Sequence, residues 1–466
     1  MKPDYKNKKV TIMGLGLQGS GVATAKFFAR RQARVIVTDI KTKDKLAASV
    51  RELKEFKDIV FVLGQHRPED FKKADLIIKG PGVPNDSKYL GMARSAHVPI
   101  KTEAGIFFEH NVNPVIGVTG TRGKTTTTHL IYEILRLAGK RALLGGNITG
   151  RPLLGLLEKI KKDTLLVLEL SSFQLEGTAP QKKSPHIAVV TNFGADHLNR
   201  YQNIEEYHEV KKSIVEYQRA EDFAVLNHDD EKVRSLVSRI KSTVWFFSAA
   251  RIGGDKAVFV ADDKIFIREE GTEKEIIGLN RLKLIGEHRI PNILAAICVA
   301  RILKIPIASI ARAIEGYAGP EHRLETVRAV AGVLYVNDTT ATVPEAARLA
   351  LLTFKDPVIL IAGGSDKGLD YDGLAAEIVS RAKGLILLKG SGTDRLARAL
   401  NKHLPENLQG SFRFVETMDK AVELAAAEAS SGDVVLLSPG CASFGLFENE
   451  FDRGRQFKNA VQKLSA

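Results

Sequence analysis

Short runs of apolar, β-branched residues alternate along this chain with segments in which apolar residues recur at helical spacing. The apolar runs lie at 10–13, 35–38, 76–78, 115–118, 165–168, 187–191, 334–336, 358–361, 385–388 and 434–437, with a further β-rich stretch at 257–277. Strands that alternate with helices in this way are typical of α/β proteins with mainly parallel sheets. The pattern therefore predicts an α/β fold.

The same pattern divides into three blocks, as expected for 466 residues at roughly 150 residues per domain. Residues 1–103 predict a Rossmann-like N-terminal domain. Residues 104–319 predict a central domain of the phosphate-loop ATPase type with a mainly parallel sheet. Residues 320–466 predict a second Rossmann-like α/β domain, which begins at the Gly319-Pro320 break.

Composition narrows the class of protein. The chain is 44% hydrophobic and 26% charged, which is ordinary for a globular protein. Its two cysteines exclude a disulfide framework and a cysteine-rich metal site. The first residues are polar, unlike a signal peptide, and no apolar run approaches the ~20 residues that span a bilayer. We therefore expect a cytoplasmic protein that does not insert into membranes.

The formal net charge of +13 is compatible with binding to nucleic acid or to small anionic substrates such as nucleotides. Lysine and arginine are scattered along the whole chain, and their runs are as short as Lys182-Lys183 and Lys211-Lys212. No basic helical face interleaved with aromatic residues is evident. The distribution favours small anionic substrates, and we expect no nucleic-acid partner.

The strongest motif is a glycine-rich run at 117–126, Gly-Val-Thr-Gly-Thr-Arg-Gly-Lys-Thr-Thr. It follows an apolar strand and precedes a helical pattern, which is the context of a phosphate loop, although the strict motif has glycine where this chain has Val118. Lys124 is expected on the β- and γ-phosphates of ATP, and the Thr125 hydroxyl on Mg²⁺. The predicted ATP-binding residues of this loop are Gly120, Thr121, Gly123, Lys124, Thr125 and Thr126.

Candidate metal ligands follow two of the predicted strands. Glu169 ends the run at 165–168, and His197 comes shortly after the run at 187–191. The carboxyl ends of strands in an open α/β sheet form the ligand crevice, and Mg²⁺ prefers oxygen ligands. We therefore expect Glu169 and His197 to lie near one another beside the phosphate loop.

A second glycine-rich turn opens the chain. Gly14, Gly16 and Gly19 follow the first strand, and Asp39 lies twenty residues beyond Gly19. Taken alone this is a dinucleotide fingerprint, which supports an NAD-dependent dehydrogenase as an alternative. A phosphate loop with magnesium ligands fits hydride transfer poorly, and the block offers no candidate hydride-transfer site. A non-catalytic nucleotide-binding module is the other alternative from a different class.

Taken together, these motifs resemble the Mur ligase family. The resemblance rests on Thr-Gly-Thr-x-Gly-Lys-Thr-Thr at 119–126, on Glu-Leu-Ser-Ser-Phe-Gln-Leu at 169–175 and on Asn-x-x-x-Asp-His at 192–197, and it continues through both terminal blocks. It implies an ATP-dependent ligase that joins glutamate to UDP-N-acetylmuramoyl-L-alanine through an acyl phosphate, for peptidoglycan precursor synthesis. We expect the enzyme to be a monomer. D-glutamate is expected. L-glutamate or another amino acid, as in a sister ligase, stays open.

The resemblance also implies roles for individual residues. Glu169, His197 and Lys211 hold two Mg²⁺ ions together with Thr125, and Lys211 is carbamylated, with Lys212 as its rival; Lys124, His197 and Lys211 form the catalytic set. The nucleotide-sugar substrate is contacted by Gly14, Leu15, Gly16, Gly19, Asp39, Gly82, Asn147, Ser171 and Gln174. Asn292, Arg323 and Asp338 add contacts to ATP. The incoming glutamate is held by Thr342, Lys367, Ser443 and Phe444.

Several positions depart from the family pattern. Arg122, Arg289 and Val343 stand where asparagine is usual, and Thr340 stands where lysine is usual. Glu450 occupies a position where an aromatic residue is expected, with Phe451 one position later. The last three departures bear on the predicted amino-acid site, so the sequence leaves the stereochemistry of the incoming glutamate open.

Overall fold

A computed structural model describes all residues of the chain except 1–2, 17–18, 149, 195–199, 202, 283–288, 367, 406–409, 411 and 466. The chain forms two compact units. One comprises residues 1–281 with 290–315, and the other comprises residues 282–289 with 316–466. In the described part of the chain, no helix is long and apolar enough to cross a membrane.

The first sheet of the larger unit has five parallel strands in the order β3-β2-β1-β4-β5. Its strands are β1 Lys9–Met13, β2 Arg34–Asp39, β3 Val60–Leu63, β4 Leu76–Lys79 and β5 Ile100–Thr102. Its helices are α1 Ser20–Ala29, α2 Ala47–Arg51, α3 Pro68–Lys72, α4 Lys88–Ser95 and α5 Glu103–His110. The order 3-2-1-4 is that of a Rossmann half, whose ligand crevice lies where the strand order reverses, between β1 and β4.

The second sheet of this unit has nine strands in the order β14-β13-β12-β11-β10-β9-β6-β8-β7. Its strands are β6 Val115–Thr119, β7 Ala142–Gly146, β8 Leu165–Glu169, β9 Ile187–Val190, β10 Phe223–Asn227, β11 Thr243–Ser248, β12 Ala257–Ala261, β13 Lys264–Glu269 and β14 Thr272–Gly278. The helices are α6 Lys124–Leu137, α7 Leu153–Leu156, α8 Ser172–Thr178, α9 Ile204–Glu216, α10 Glu231–Arg234, α11 Ile290–Ile302 and α12 Ile307–Gly316. Only the pairs formed by β13 are antiparallel among these described strands.

Helix α6 shows how the sequence sets these elements. Its apolar residues Leu130, Ile131, Ile134 and Leu135 recur at helical spacing, and all four are buried. The helix ends at Leu137, and Gly139 follows with a φ of 70°, a left-handed conformation that glycine adopts without strain. The predicted helix after the phosphate loop is therefore confirmed.

The smaller unit is built on a six-stranded sheet in the order β15-β16-β20-β17-β18-β19, parallel except for the β15–β16 pair. Its strands are β15 Glu325–Val330, β16 Val333–Asn337, β17 Val358–Gly363, β18 Ala382–Leu388, β19 Arg413–Val415 and β20 Val434–Leu437. Its helices are α13 Pro344–Leu351, α14 Asp372–Arg381, α15 Ser391–His403, α16 Met418–Glu428 and α17 Glu450–Gln462. Apolar clusters cover both faces of this sheet, so the predicted α/β fold with mainly parallel sheets is confirmed.

A fully buried arginine holds two strand-end segments of this sheet together. Arg453, on α17, donates from Nη2 to the Thr339 carbonyl at 2.9 Å, from Nε to Thr339 Oγ1 at 3.0 Å and from Nη1 to the Cys441 carbonyl at 3.2 Å. Burial lowers the pKa of Arg453 to about 10. Because β16 and β20 lead into the residues that it bonds, Arg453 fixes the edge of the sheet where the amino-acid site is predicted.

We expect Arg453→Met to lower the free energy of unfolding by about 3 kcal/mol, because it leaves buried carbonyl groups without their donors. The matched control is Arg455→Met. Arg455 lies on the same helix but is exposed and pairs with Asp452 at 3.4 Å, so its loss should cost less than about 0.5 kcal/mol. Thermal unfolding measures both variants. Equal melting temperatures of the Arg453→Met and Arg455→Met variants would contradict the role of Arg453 in holding the two strand-end segments together.

Candidate active site

The phosphate loop runs from the end of β6 to the start of α6, and two of its glycines are required by close contacts. Gly120 has a φ of 145°, and a side-chain carbon there would lie 1.9 Å from Thr191 Oγ1. Gly123 has a φ of 80°, and a side-chain carbon there would lie 2.2 Å from Asn292 Oδ1. A larger residue at either position would collide with these side chains and would be strained at the positive φ angle. The structure therefore brings Asn292, a predicted ATP contact on α11, against the loop.

The residues that follow β9 brace the loop from the other side. Thr191 Oγ1 donates to the Arg122 carbonyl at 2.6 Å, and Asn192 Oδ1 accepts from the Arg122 backbone N–H at 2.9 Å. The Arg122 side chain itself is exposed. The bracing roles of Thr191 and Asn192 were not predicted, although their place at the end of a parallel strand was a usable signal.

Two lysines converge on one carbonyl of the loop. Lys124 Nζ donates to the carbonyls of Gly120 and Thr121, each at 2.9 Å. Lys211, on α9, also donates from Nζ to the Gly120 carbonyl at 2.9 Å, and its side chain is among the most buried in the described chain. The sequence identified both lysines, and the structure brings them to the same point.

A carboxylate and a hydroxyl lie beside the loop. Glu169 ends β8 and is 3% exposed. Its Oε2 accepts from Thr125 Oγ1 at 2.7 Å, and its Oε1 accepts from Asn147 Nδ2 at 2.8 Å. Carboxylate and hydroxyl oxygens suit Mg²⁺, so Thr125 and Glu169 fit such an ion. His197, the other predicted ligand, lies outside the described residues.

Ser171 and Gln174 form a capping box at the start of α8. Ser171 Oγ accepts from the Gln174 backbone N–H at 3.3 Å, and Gln174 Oε1 accepts from the Ser171 backbone N–H at 3.1 Å. The box fixes the direction of α8 directly after Glu169. Both residues therefore lie at the carboxyl end of β8, in the neighbourhood of Asn147.

The glycine-rich turn of the first sheet is closed by Asp39. The Asp39 Oδ2 atom accepts from the backbone N–H groups of Leu15 at 2.9 Å and Gly16 at 3.2 Å. Gly14 and Gly19 have left-handed φ angles, and Gly19 precedes α1. The structure thus brings these five predicted substrate residues together at the carboxyl edge of β1 and β2. The bonds from Asp39 to the turn were not predicted, because they depend on strand register.

Gly82 lies in the segment that follows β4 and is exposed. The neighbouring Gly80 donates its backbone N–H to the Met13 carbonyl at 2.8 Å, and a side-chain carbon at Gly14 would lie 3.5 Å from Val83 Cγ2. The segment that contains the predicted contact Gly82, residues 80–83, therefore adjoins the glycine-rich turn at the point where the strand order of the sheet reverses.

In the smaller unit, Asp338 follows β16 and is buried. Its Oδ2 accepts from Ser438 Oγ at 2.8 Å, and its Oδ1 accepts from the Leu324 backbone N–H at 3.1 Å. Arg323 is exposed, and its carbonyl accepts from Nη2 of the buried Arg289 at 3.1 Å. The departure at position 289 thus places a buried guanidinium near two predicted ATP contacts.

Burial raises the pKa of Asp338 to about 6, from an ordinary 3.8. A carboxyl whose folded-state pKa is raised stabilises the fold at pH values below 3.8, and this contribution is lost as the pH rises through about 6. Asp338→Asn removes the titration but keeps an acceptor for Leu324. We therefore expect the unfolding free energy of this variant, relative to the parent, to increase by up to about 3 kcal/mol between pH 4 and pH 8.

Urea unfolding at both pH values measures this difference. The control is Asp356→Asn, which changes an exposed carboxylate of the same unit. If the difference in unfolding free energy between the parent and Asp338→Asn is the same at both pH values, the raised pKa of Asp338 is contradicted.

The segments predicted to hold glutamate adjoin at the carboxyl edge of the third sheet. The Gly440 backbone N–H donates to the Ala341 carbonyl at 2.8 Å, and Ser365 and Ala442 exchange backbone hydrogen bonds. These contacts bring the neighbourhoods of Thr342 and Ser443 together. Ser443 is buried, whereas the Phe444 side chain is 57% exposed. Lys367 lies outside the described residues.

Three further residues that depart from the family pattern lie near the predicted amino-acid site. Thr340 Oγ1 donates to the His322 carbonyl at 2.9 Å, so this side chain braces the segment after β16. Val343 is exposed directly before α13. Glu450 is the first residue of α17, and its carbonyl accepts from Thr339 Oγ1 at 2.8 Å. All of these positions lie at the edge of the sheet where the segments that carry Thr342 and Ser443 adjoin.

A phosphate loop beside a buried carboxylate–hydroxyl pair, carried on a mainly parallel sheet, defines a nucleotide-binding enzyme of the α/β class. Three family models match the chain: Mur ligase MurD-like, N-terminal domain at residues 8–102, Mur ligase middle domain at 118–300, and Mur ligase, glutamate ligase domain at 322–441. The chain belongs to the Mur ligase family. It is therefore an ATP-dependent ligase that forms carbon–nitrogen bonds, and the family prediction is confirmed.

Relatives extend over the full chain. The UDP-N-acetylmuramoylalanine–D-glutamate ligase of Roseiflexus sp. (strain RS-1) is 42% identical over 466 residues, covering 98% of this chain and 99% of its own. The enzyme of the same name from Clostridioides difficile (strain 630) is 37% identical, covering 99% and 100%. Among solved structures, the UDP-N-acetylmuramate-alanine ligase MurC of Thermotoga maritima has a TM-score of 0.61 at 20% identity, covering 98% and 99%. This likeness shows the fold alone. Because the chain belongs to the Mur ligase family, the NAD-dependent dehydrogenase suggested by the first glycine-rich turn is the wrong alternative.

Proposed function

We propose that the chain joins D-glutamate to UDP-N-acetylmuramoyl-L-alanine at the expense of ATP, in the synthesis of peptidoglycan precursor. The observation that carries the proposal is full-length identity of 36–42% to relatives that bear this activity in their names. The matched glutamate ligase domain at 322–441 supports the amino acid, and the MurD-like match at 8–102 supports the nucleotide-sugar acceptor.

We further propose a division of labour among residues 1–103, 104–319 and 320–466. The first segment binds the UDP group through the turn at Gly14–Gly19, Asp39 and Gly82. The second binds ATP and activates the acceptor. The third holds glutamate through Thr342, Lys367, Ser443 and Phe444, while Arg323 and Asp338 contact ATP. We propose that the enzyme acts as a cytoplasmic monomer.

The first chemical step follows from the central site. A carboxylate oxygen of the acceptor attacks the γ-phosphorus of ATP, and the bond from that phosphorus to the β-phosphate oxygen breaks, giving ADP and an acyl phosphate. Lys124 and the loop N–H groups stabilise the charge that develops on the phosphoryl oxygens. Asn147, Ser171 and Gln174 orient the acceptor carboxylate. The geometry that supports this step is the bond between Thr125 and Glu169 beside the loop whose carbonyls Lys124 contacts.

The second step forms the amide. The glutamate amine attacks the acyl carbonyl carbon, the bond to the phosphate oxygen breaks, and the nitrogen loses a proton as inorganic phosphate leaves. Lys367 and the hydroxyl groups of Thr342 and Ser443 hold the glutamate carboxylates. An acyl phosphate reacts readily with water, so the site must exclude water between the two steps.

We propose that Thr125, Glu169 and His197 hold Mg²⁺, which neutralises phosphate charge when bound. We also propose that Lys211 is carbamylated: its Nζ attacks carbon dioxide, a nitrogen–carbon bond forms, and one proton is lost. The product is a carboxylate-like group that suits a second ion. The burial of Lys211 and its position over the phosphate loop support this assignment.

Phosphate release and product mass test the proposed function. The full chain is incubated with ATP, Mg²⁺, bicarbonate and UDP-N-acetylmuramoyl-L-alanine, with D-glutamate, L-glutamate or another amino acid. Release that requires both acceptor and D-glutamate, together with an amide product of the matching mass, is expected. Turnover with L-glutamate alone would contradict the stereochemistry and direct attention to Thr340, Val343 and Glu450. No turnover with any amino acid would contradict the function.

A further inference from the structure

A nearly buried carboxylate outside the predicted catalytic set gathers four donors from three parts of the larger unit. Glu176 lies on α8 with a side chain 14% exposed. Its Oε1 accepts from Tyr201 Oη at 2.8 Å. Its Oε2 accepts from Arg200 Nη2 at 3.1 Å, from Asn85 Nδ2 at 3.3 Å and from Lys79 Nζ at 3.4 Å. A carboxylate that pairs with two largely buried cations is costly to neutralise, because its loss leaves like charges together.

One side of this cluster holds the segment predicted to contact the nucleotide. Lys79 ends β4, and Arg200 Nη1 donates to the carbonyls of Pro81 at 3.1 Å and Val83 at 3.2 Å. Arg200 in turn is held by Glu176. Glu176 therefore pairs with the guanidinium that bonds the 80–83 segment, although Glu176 lies on α8 and is absent from every predicted substrate contact.

The other side of the cluster leads to the phosphate loop. The ring of Tyr201 lies 5.4 Å from the ring of Tyr207, between centroids. Lys211 Nζ lies 4.7 Å from the Tyr207 ring centroid, and Tyr207 Oη donates to Thr121 Oγ1 at 3.5 Å. Lys211 then bonds the Gly120 carbonyl. An unbroken series of contacts thus joins the 80–83 segment to the phosphate loop through Glu176 and Tyr201.

We propose that Glu176 is a positioning residue that couples occupancy of the 80–83 segment by the nucleotide-sugar acceptor to the placement of Lys211 and the phosphate loop. Acceptor that binds at 80–83 acts on the Arg200–Glu176 pair, and the Glu176–Tyr201 bond carries the effect toward Tyr207. This inference rests on the proposed function, because it takes a UDP-linked acceptor as the ligand of the first sheet.

Glu176→Gln tests the proposal, because it keeps the shape but removes the charge that balances Lys79 and Arg200. We expect its KM for the acceptor to rise and its kcat to fall, each by about tenfold or more, and half-maximal activation to require more Mg²⁺. The matched control is Glu158→Gln. Glu158 forms an ion pair with Arg30, the residue directly after α1, and so also links segments of the two sheets, but both side chains are exposed. This control should stay within about twofold of the parent.

Tyr201→Phe provides the second arm, because it removes one hydroxyl and keeps the ring in place. We expect a smaller effect of the same kind, and a double variant with Glu176→Gln whose loss is less than the product of the two separate losses. The losses are measured as fold changes in kcat/KM for the acceptor. A combined loss smaller than the product of the separate losses shows that Glu176 and Tyr201 act through the hydrogen bond that they share.

Three outcomes are decisive. A Glu176→Gln variant with a lower melting temperature but parental KM, kcat and Mg²⁺ dependence would show a merely structural role and overturn the proposal. Losses in Tyr201→Phe and Glu176→Gln that multiply independently would also overturn it. A parent enzyme that forms no amide would contradict the proposed function itself, and this inference with it, whereas an active parent with an unaffected Glu176→Gln contradicts the inference alone.

Discussion

Replacing Lys124 by methionine is expected to lower the rate of acceptor-dependent phosphate release by about 100- to 1,000-fold or more. Lys124 is the first residue of α6, and its ammonium lies across the phosphate loop, 2.9 Å from two of its carbonyls. In the proposed mechanism the same group neutralises the phosphoryl oxygens of bound ATP, whose developing charge must be stabilised. Methionine keeps the length of the side chain but supplies no charge and no donor.

The matched control is Lys140→Met. Lys140 follows α6 and is exposed, so its replacement removes the same charge from the same element at the end remote from the loop. It should leave turnover within about twofold of the parent. Phosphate release is measured at saturating acceptor and glutamate, with melting temperatures recorded for all three proteins. A folded Lys124→Met enzyme with more than half of the parental rate would contradict the phosphate-loop assignment.

Lys211→Met is expected to lower amide formation by about 100-fold or more, because it removes both the bond to the Gly120 carbonyl and the group that we propose is carbamylated. The neighbouring Lys212→Met separates the two candidates that the sequence left open. Lys212 pairs with Glu209 at 2.7 Å on the outer face of α9, and its loss should leave activity near that of the parent.

Carbamylation predicts a further result that a simple lysine ligand does not. Parent enzyme prepared without bicarbonate should lose activity and regain it when bicarbonate is restored, and the intact protein should gain the mass of one carbon dioxide. The Lys211→Met enzyme should show neither effect. Parental activity that is indifferent to bicarbonate, with no mass gain in native spectra, would contradict the carbamate while leaving the phosphate loop unaffected.

Much of the fold could be predicted because apolar runs and helical spacing are local properties of the sequence. The phosphate loop could also be placed, since β6 is a buried run that ends in a glycine-rich turn and α6 has a regular apolar face. Other strands were not predicted from the sequence. The strand β7, Ala142–Gly146, ends in two glycines, and β19, Arg413–Val415, has three residues, so neither has a clear strand pattern.

The parts of the site that escaped prediction depend on register and on distant parts of the chain. Asp39 closes the turn at Leu15 and Gly16 because β1 and β2 pair in a particular register. Glu176 meets Asn85, which is 91 residues away, and Arg453 meets Thr339, which is 114 residues away. A lone glutamate or arginine carries no local signal of such a partner, so only the folded chain reveals these roles.

Transfer of a labelled oxygen atom from the acceptor to phosphate tests the acyl-phosphate route directly. UDP-N-acetylmuramoyl-L-alanine labelled with heavy oxygen in its carboxylate is incubated with the enzyme, ATP, Mg²⁺, bicarbonate and D-glutamate, and both products are analysed by mass. We expect an amide product and inorganic phosphate that carries one labelled oxygen from the carboxylate, with neither formed when D-glutamate is omitted. Unlabelled phosphate, or phosphate released without an amide, would contradict this route.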